Sequence, residues 1–203
     1  MKNMCSNWWL SEHYSDKFVK ESKKCKYRSR AWFKIDEIQK KNNIIKPGMV
    51  VLDIGSSPGG WSKYSSQKVG MSGKVIACDI DLMNPIPNVS FILGNIFEKI
   101  TIKKIKKVKK KVHIILCDIS PNITGLSIID HSRWISLNNN ILNICKYLLL
   151  KNGKLIIKSF NSVEIKNFCK KIENSFKKIK IFKPISSRSR SKEIYIVAVN
   201  YKL

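Results

Sequence analysis

Val50-Val51-Leu52-Asp53-Ile54-Gly55-Ser56-Ser57-Pro58-Gly59-Gly60-Trp61 decides the fold of this 203-residue chain. The first five residues, apolar apart from Asp53, read as a buried strand. A turn rich in Gly and Pro follows at once, and then a helical pattern. In open α/β sheets, ligands bind just beyond the carboxyl ends of strands, where such turns lie. Glycine lets the backbone come close to a bound molecule. Twenty residues after Gly59, a second strand-like run from Lys74 to Cys78 ends in Asp79. An acid there can accept hydrogen bonds from a ribose. The two features together predict a nucleoside cofactor.

Working outward, Leu10, Tyr14 and Phe18 fall at helical spacing and predict a helix near 9–21. Trp32, Ile35 and Ile38 form the apolar side of a second helix over 29–41. Pro47-Gly48 breaks before the first strand. Alternation follows: strand 49–54, helix 60–68, strands 74–79 and 89–93, strand 112–117, helix 131–150. Lys151-Asn152-Gly153 reads as a turn into strand 154–160. A helix near 162–176, a strand near 178–182, a loop at 184–192 and a strand at 193–200 finish the chain. Strands alternating with helices predict a parallel sheet with helices on both faces. The short link between the last two strands predicts that they pair antiparallel. The expectation is one domain over residues 1–203, with a helical part at 1–46.

Thirty-nine basic residues face fourteen acidic ones, a formal charge of +25. That excess suits a polyanion, although Lys, Asn and Ile are abundant together as genomic base bias would produce. Residues 99–111 hold eight lysines and no acid, and read as a solvated face. No run approaches the roughly 20 apolar residues of a membrane span. The start has no apolar secretory segment, and Glu12 and Asp16 come early for a transit peptide. Six cysteines lie scattered without a Cys-x-x-Cys pair, so a reducing compartment and no metal are expected. By default that compartment is the cytoplasm, with an organelle such as the mitochondrion open.

The first strand-turn could take NAD, FAD or S-adenosylmethionine. The dinucleotide fingerprint is Gly-x-Gly-x-x-Gly, whose second glycine makes room for a pyrophosphate. Here Ser57 stands at that place, and Pro58 and Trp61 crowd the turn. A cofactor without a pyrophosphate fits better, and the charge of Asp53 and Asp79 suits a sulfonium cation. A plain glycine-rich turn is the structural alternative. The next strand ends in Asp118, followed by Ile119-Ser120-Pro121-Asn122. Asp118 either reaches cofactor and substrate or caps the loop. Asn122 offers no ring to stack on a base. Lys158 ends a buried apolar run and needs a carboxylate partner. Glu193 opens the last strand, and Lys34 lies between Phe33 and Ile35. Four ionisable groups of alternating sign can therefore converge.

With these residues in place, the chain resembles the FtsJ family of ribose 2′-O-methyltransferases over nearly its whole length. The likeness runs through Trp9–Lys17, Arg28–Lys34, the Asp53–Trp61 turn, Asp118–Gly125, Lys183-Pro184 and Ser187–Tyr195. It implies a Rossmann-like class I fold dependent on S-adenosylmethionine, with a seven-stranded, mostly parallel sheet whose last strand is antiparallel. It implies a Lys-Asp-Lys-Glu catalytic set at Lys34, Asp118, Lys158 and Glu193. It further implies cofactor contacts at Gly55, Ser57, Pro58, Gly59, Gly60, Trp61, Asp79, Asn95, Ile96 and Asp118, with S-adenosylhomocysteine as product and no metal. Asn95 stands where the family usually has Asp, which implies altered affinity.

The basic flanks Arg28, Arg30, Arg188, Arg190 and Lys192 would grip RNA phosphates; Trp8, Trp9 and Tyr14 either stack on bases or pack their helix, with packing the favoured reading for Tyr14. The amino-terminal block resembles members that modify large-subunit ribosomal RNA. The implied substrate is a uridine ribose there, in free RNA or an assembled large subunit, methylated by a monomer. The alternatives are a tRNA ribose methyltransferase of the family, a base-directed RNA methyltransferase, a non-catalytic RNA-binding module and an NAD oxidoreductase.

Overall fold

Why the quoted stretch becomes a strand is plain from its surroundings. In this computed structural model, β1 (Val50–Ile54) is buried along its whole length. A continuous apolar run requires cover on both faces. The structure describes residues 16–202 apart from 123, 163 and 189. Most of the first expected helix, with Trp8, Trp9 and Tyr14, lies outside the described residues.

Two helices precede β1: α1 (Lys17–Lys24) and α2 (Ala31–Asn42). The Asp16 carboxylate accepts from Phe18 N at 2.9 Å and caps α1. Asn43 ends α2 in the left-handed region. Then come α3 (Gly60–Val69), β2 (Lys74–Asp79), β3 (Val89–Leu93), α4 (Lys99–Val108), β4 (Val112–Cys117) and α5 (Ser127–Leu148). The chain closes with β5 (Leu149–Phe160), α6 (Ile165–Ser175), β6 (Phe176–Phe182) and β7 (Glu193–Tyr201). No described helix is long and apolar enough to cross a membrane.

The seven strands form one sheet in the order β3-β2-β1-β4-β5-β7-β6. The pairs among the first five are parallel, while β7 runs antiparallel to both neighbours. This is the Rossmann-like arrangement expected from the sequence. Strand side chains alternate between faces. On one face, Leu52, Ile115 and Ile157 pack with Ile105 of α4, Ile141 of α5 and Phe168 of α6. On the other, Val51, Leu116 and Ile156 pack with Ile35 and Ile38 of α2 and Tyr64 of α3. Ile35 and Ile38 are fully buried, and each contributes about 1.5–3 kcal/mol. That packing fixes the helix that carries Lys34.

Helix α4 forms where the sequence predicted only a solvated basic face, and two boundaries shift markedly. The expected turn at 151–153 lies inside β5 as a bulge. Val112 pairs with Leu149 and Ile114 with Lys154, so β5 carries extra residues between two positions of β4. Asn152 takes a left-handed φ of 60° there. Helix α5 starts four residues early because Asp130 braces the segment before it. Its carboxylate accepts from Thr124 N at 2.8 Å and Gly125 N at 3.0 Å.

The turn after β1 depends on Gly55, whose φ is +74°. A Cβ there would lie 2.5 Å from Ile119 Cγ1, on the loop that follows β4. Gly55→Ala should therefore lower stability by about 1–3 kcal/mol. Urea denaturation with a reduced midpoint and unchanged slope checks this.

Candidate active site

The carboxyl ends of β1 to β5 lie along one edge of the sheet, and antiparallel β7 begins at that edge. The strand order reverses between β1 and β4, the place where open α/β sheets take ligands. Register then sets the neighbours: Lys158 pairs with Tyr195, and Phe160 with Glu193. Asp118 follows β4 directly. By alternation, Asp53, Lys158, Glu193 and Tyr195 face the layer of α2 and α3. Lys34 comes down from α2 into the same layer.

The four ionisable residues meet there as two pairs. Lys34 Nζ lies 2.6 Å from Glu193 Oε1. Lys158 Nζ lies 3.2 Å from Asp118 Oδ1 and donates to the Asp118 carbonyl at 2.6 Å. Tyr195 joins the pairs. Its hydroxyl donates to Asp118 Oδ1 at 2.8 Å, and Lys34 Nζ stands 5.7 Å from its ring centre. Ser187 Oγ donates to Glu193 Oε1 at 3.0 Å. Burial alone would raise the Asp118 carboxyl, but Lys158, then Lys34 and the Tyr195 hydroxyl, outweigh it and hold it below the usual range. Asp118 is therefore a carboxylate at neutral pH. Burial, then Asp118 and Glu193, push the Tyr195 hydroxyl well above its ordinary value, so it keeps its proton.

Beside this cluster opens a cleft of about 430 Å³. Gly55, Asp79, Asn95, Ile96 and Asp118 line it, as does Asp81. None of its lining residues among those described is Lys or Arg. In a chain with 39 cations and 14 acids, that local excess of carboxylate suits a cationic ligand. Ile80, Ile96 and Phe97 give it an apolar wall for a flat ring. Asp79 is already fixed in place: Ser57 N donates to one oxygen at 2.7 Å and Asp81 N to the other at 3.0 Å. Asn95 Oδ1 accepts from Phe97 N at 3.1 Å.

The rest of the glycine turn, Ser57 to Trp61, leads from β1 into α3. The Ser57-Pro58 peptide is cis. Gly59 caps α3 at φ +103°, and Gly60 is buried in its first turn. Trp61 is buried, donates from Nε1 to Ala31 O at 2.8 Å, and backs Tyr195 at 5.6 Å between ring centres.

The basic flanks also hold the protein together. Arg28 donates to the carbonyls of Pro58, Asn84 and Pro85 at 3.2, 2.7 and 2.6 Å. Arg30 bonds Asp16 and the Ser186 carbonyl. Arg188 Nε lies 3.7 Å from Asp16 Oδ2. Arg190 is exposed, and the Lys192 carbonyl accepts from Asn161 N at 2.8 Å. Glu37 of α2 accepts from Ile185 N at 2.6 Å and Ser186 N at 2.9 Å, tying the Lys34 helix to the loop before Glu193. Sequence reasoning passed over Tyr195, Glu37, Asp81 and Phe97. Tyr195 was findable, because it is two residues from Glu193 on one strand and shares its face. The others needed the tertiary arrangement.

A family model described as FtsJ-like methyltransferase matches residues 27–201. This chain belongs to the FtsJ-like methyltransferase family. Two relatives named ribosomal RNA large subunit methyltransferase E come from Buchnera aphidicola. One, from the Schizaphis graminum symbiont, is 47% identical over 199 residues, 97% of each chain. The other, from the Baizongia pistaciae symbiont, is 47% identical over 206 residues, 100% of this chain and 98% of its own. A crystal structure described as a ribosomal RNA methyltransferase of Plasmodium falciparum superposes with a TM-score of 0.79 at 30% identity, covering 86% of this chain and 98% of that one. Fibrillarin of Aeropyrum pernix, solved with natively bound S-adenosyl-L-methionine, shares the fold alone: TM-score 0.54, 14% identity, 76% and 68% coverage.

Under the FtsJ-like turn, Asp53 is fully buried. Ser62 Oγ donates to its Oδ2 at 2.6 Å, while Oδ1 has no partner among the described residues. Burial pushes its carboxyl up to about 7, against the pull of Ser62. The folded chain thus keeps this proton to about pH 7, whereas the unfolded chain loses it near 3.8. Between those values the folded state binds more protons, so this group's share of stability falls as pH rises. Asp53→Asn keeps an acceptor for Ser62 and should flatten that fall. Thermal melts at about pH 5 and about pH 8 check it, with a smaller Tm difference expected in the variant than in the parent.

Proposed function

We propose that this chain transfers the methyl group of S-adenosylmethionine to a ribose 2′-hydroxyl in RNA, leaving S-adenosylhomocysteine. The substrate we infer is a uridine of large-subunit ribosomal RNA, free or in the assembled subunit. The observation that carries this reading is the meeting of Lys34, Asp118, Lys158 and Glu193 beside a carboxylate-lined cleft. The names of the two Buchnera relatives support the choice of ribosomal RNA. The free cysteines among the described residues suit a reducing compartment, and we place the protein inside the cell as a monomer.

S-adenosylmethionine supplies, when bound, a methyl already activated by a positive sulfur. Gly55, Asp79, Asn95, Ile96 and Asp118 would hold it, with the carboxylates facing its cationic centres. The chain's remaining tasks are to orient the 2′-hydroxyl and to receive its proton. Lys158 is held by two Asp118 oxygens, and an ammonium has three donors. With Lys158 an ammonium, its third N–H orients the 2′-oxygen, and the Asp118 carboxylate is the member of the pair that receives the hydroxyl proton as the methyl is transferred. Lys34 and Glu193 neutralise each other 2.6 Å apart and shape the field at that pair. Tyr195 keeps its proton and positions the Asp118 carboxylate. Asn122 at the cleft rim supplies no aromatic ring for a target base, which disfavours base methylation.

Lys158→Ala should lower methyl transfer at least about 10³-fold while leaving the affinity for S-adenosylhomocysteine within a few-fold. Labelled methyl transfer to unmethylated large-subunit RNA, digested to nucleosides, reads this out. Turnover near that of the parent, or label on a base, would contradict the mechanism.

Arg188 and Arg190 stand in the loop before Glu193 and are assigned here to RNA phosphates. Replacing both by Ala should reduce the slope of log affinity against log salt by about 1.4, at about 0.7 per contact to single-stranded RNA. Filter-binding titrations across a salt series measure it, and a slope equal to the parent's removes these arginines from the grip.

A further inference from the structure

A second groove, of about 510 Å³, runs between α4 and α5 on the sheet face opposite α2 and α3. Two helix stripes wall it. Lys99, Lys103 and Lys106 recur at i, i+4 and i+7 along α4. Asn140, Asn143 and Tyr147 recur at i, i+3 and i+7 along α5. Ile102 and Ile144 form the floor between them. Phe97 lines both this groove and the cleft at the strand ends, so the two adjoin.

We propose that this groove binds an unpaired nucleotide of the RNA substrate together with its flanking phosphates. The proposal rests on the RNA reading above and adds a contact that the basic flanks near Glu193 do not provide. Tyr147 is 57% exposed and Phe97 41%, so both rings are open to a flat partner. Lys106 Nζ already stands 5.8 Å from the Tyr147 ring centre, so ring and cation are presented together. Single-stranded nucleic acid is bound by that combination, a basic groove along the backbone and aromatic rings under the bases. The Asn140 and Asn143 amides are exposed and offer both donors and acceptors to a base edge.

Charge selects the partner. Residues 99–111 carry eight lysines in thirteen positions without one acid. A second copy of this chain would be repelled from such a face. The groove is also concave, whereas a membrane surface calls for an apolar helix face turned outward. A polyanion with planar groups meets both features of the site. Lys104, Lys107 and Lys109 to Lys111 are exposed beside the groove and strengthen its field.

The test uses the full chain, a single-stranded oligouridylate as probe, and two variants. In Tyr147→Ala, affinity for the probe should fall about 5- to 100-fold. In Lys103→Ala/Lys106→Ala, the salt slope should fall by about 1.4. Turnover at saturating large-subunit RNA and affinity for S-adenosylhomocysteine should stay at parental values in both. If Tyr147→Ala loses S-adenosylhomocysteine binding, the exposed lysine pair decides alone. Parental affinity and slope in the variants overturn the proposal and leave the groove to an acidic protein. Weakened probe binding with no methyl reaching ribose in the parent keeps the groove and removes the proposed function. A parent that binds no probe overturns the groove proposal and leaves the proposed function to the methyl-transfer assay.

Discussion

A lysine ammonium at the end of a buried strand is the constraint on which the rest of the site depends. Lys158 is 8% exposed, so its charge needs partners within the protein. It finds them on the adjacent strand end, in the carbonyl and carboxylate of Asp118. Stripping one member from such a pair typically costs about 3–5 kcal/mol, because the other charge stays buried. The same contact sets the positions around it. Tyr195, opposite Lys158 in the register, shares the Asp118 oxygen, and Glu193 lies two residues away on the same face. Glu193 in turn brings Lys34 down from α2. Charges of alternating sign attract one another across a few ångströms, which offsets the desolvation penalty of crowding four ionisable groups together.

The molecule also separates two electrostatic tasks. Its net charge of +25 favours an extended anion outside, yet among the described residues the cleft at the strand ends has three carboxylates and no cation in its lining. The outer field is screened over about 8 Å at physiological salt. Inside the cleft the carboxylates are closer than that to anything bound there. A cationic ligand and a polyanion can therefore occupy neighbouring places on one small protein without competing. Orientation comes from the clamp around α2, where Glu37 takes the backbone of Ile185 and Ser186 while Arg30 bridges Asp16 and Ser186. The loop that precedes Glu193 is held by the helix that carries Lys34.

Much of this could be read along the chain. The apolar run of β1 with its glycine turn marked the cleft, because burial on both faces and close backbone approach leave direct traces in composition. Lys158 was conspicuous for the same reason, being a charge at the end of an apolar strand. The bulge at 151–153 and the early start of α5 were not readable, since a register shift and an Asp130 brace are contacts between segments. The arginines show a related limit. Arg28 and Arg30 look like phosphate ligands in sequence, yet in the fold their guanidinium groups also bond protein carbonyls and Asp16.

What the sequence by itself determined is the succession along the chain of most strands and helices, the glycine turn and the identity of the four ionisable residues. Those are local properties of periodicity, backbone freedom and side-chain chemistry. Only the tertiary structure decided that Tyr195 binds Asp118, that Glu37 holds the loop before Glu193, and that two helix stripes enclose a basic groove. Each of those joins residues far apart along the chain. Their meeting depends on strand order and helix packing, and no single segment encodes either.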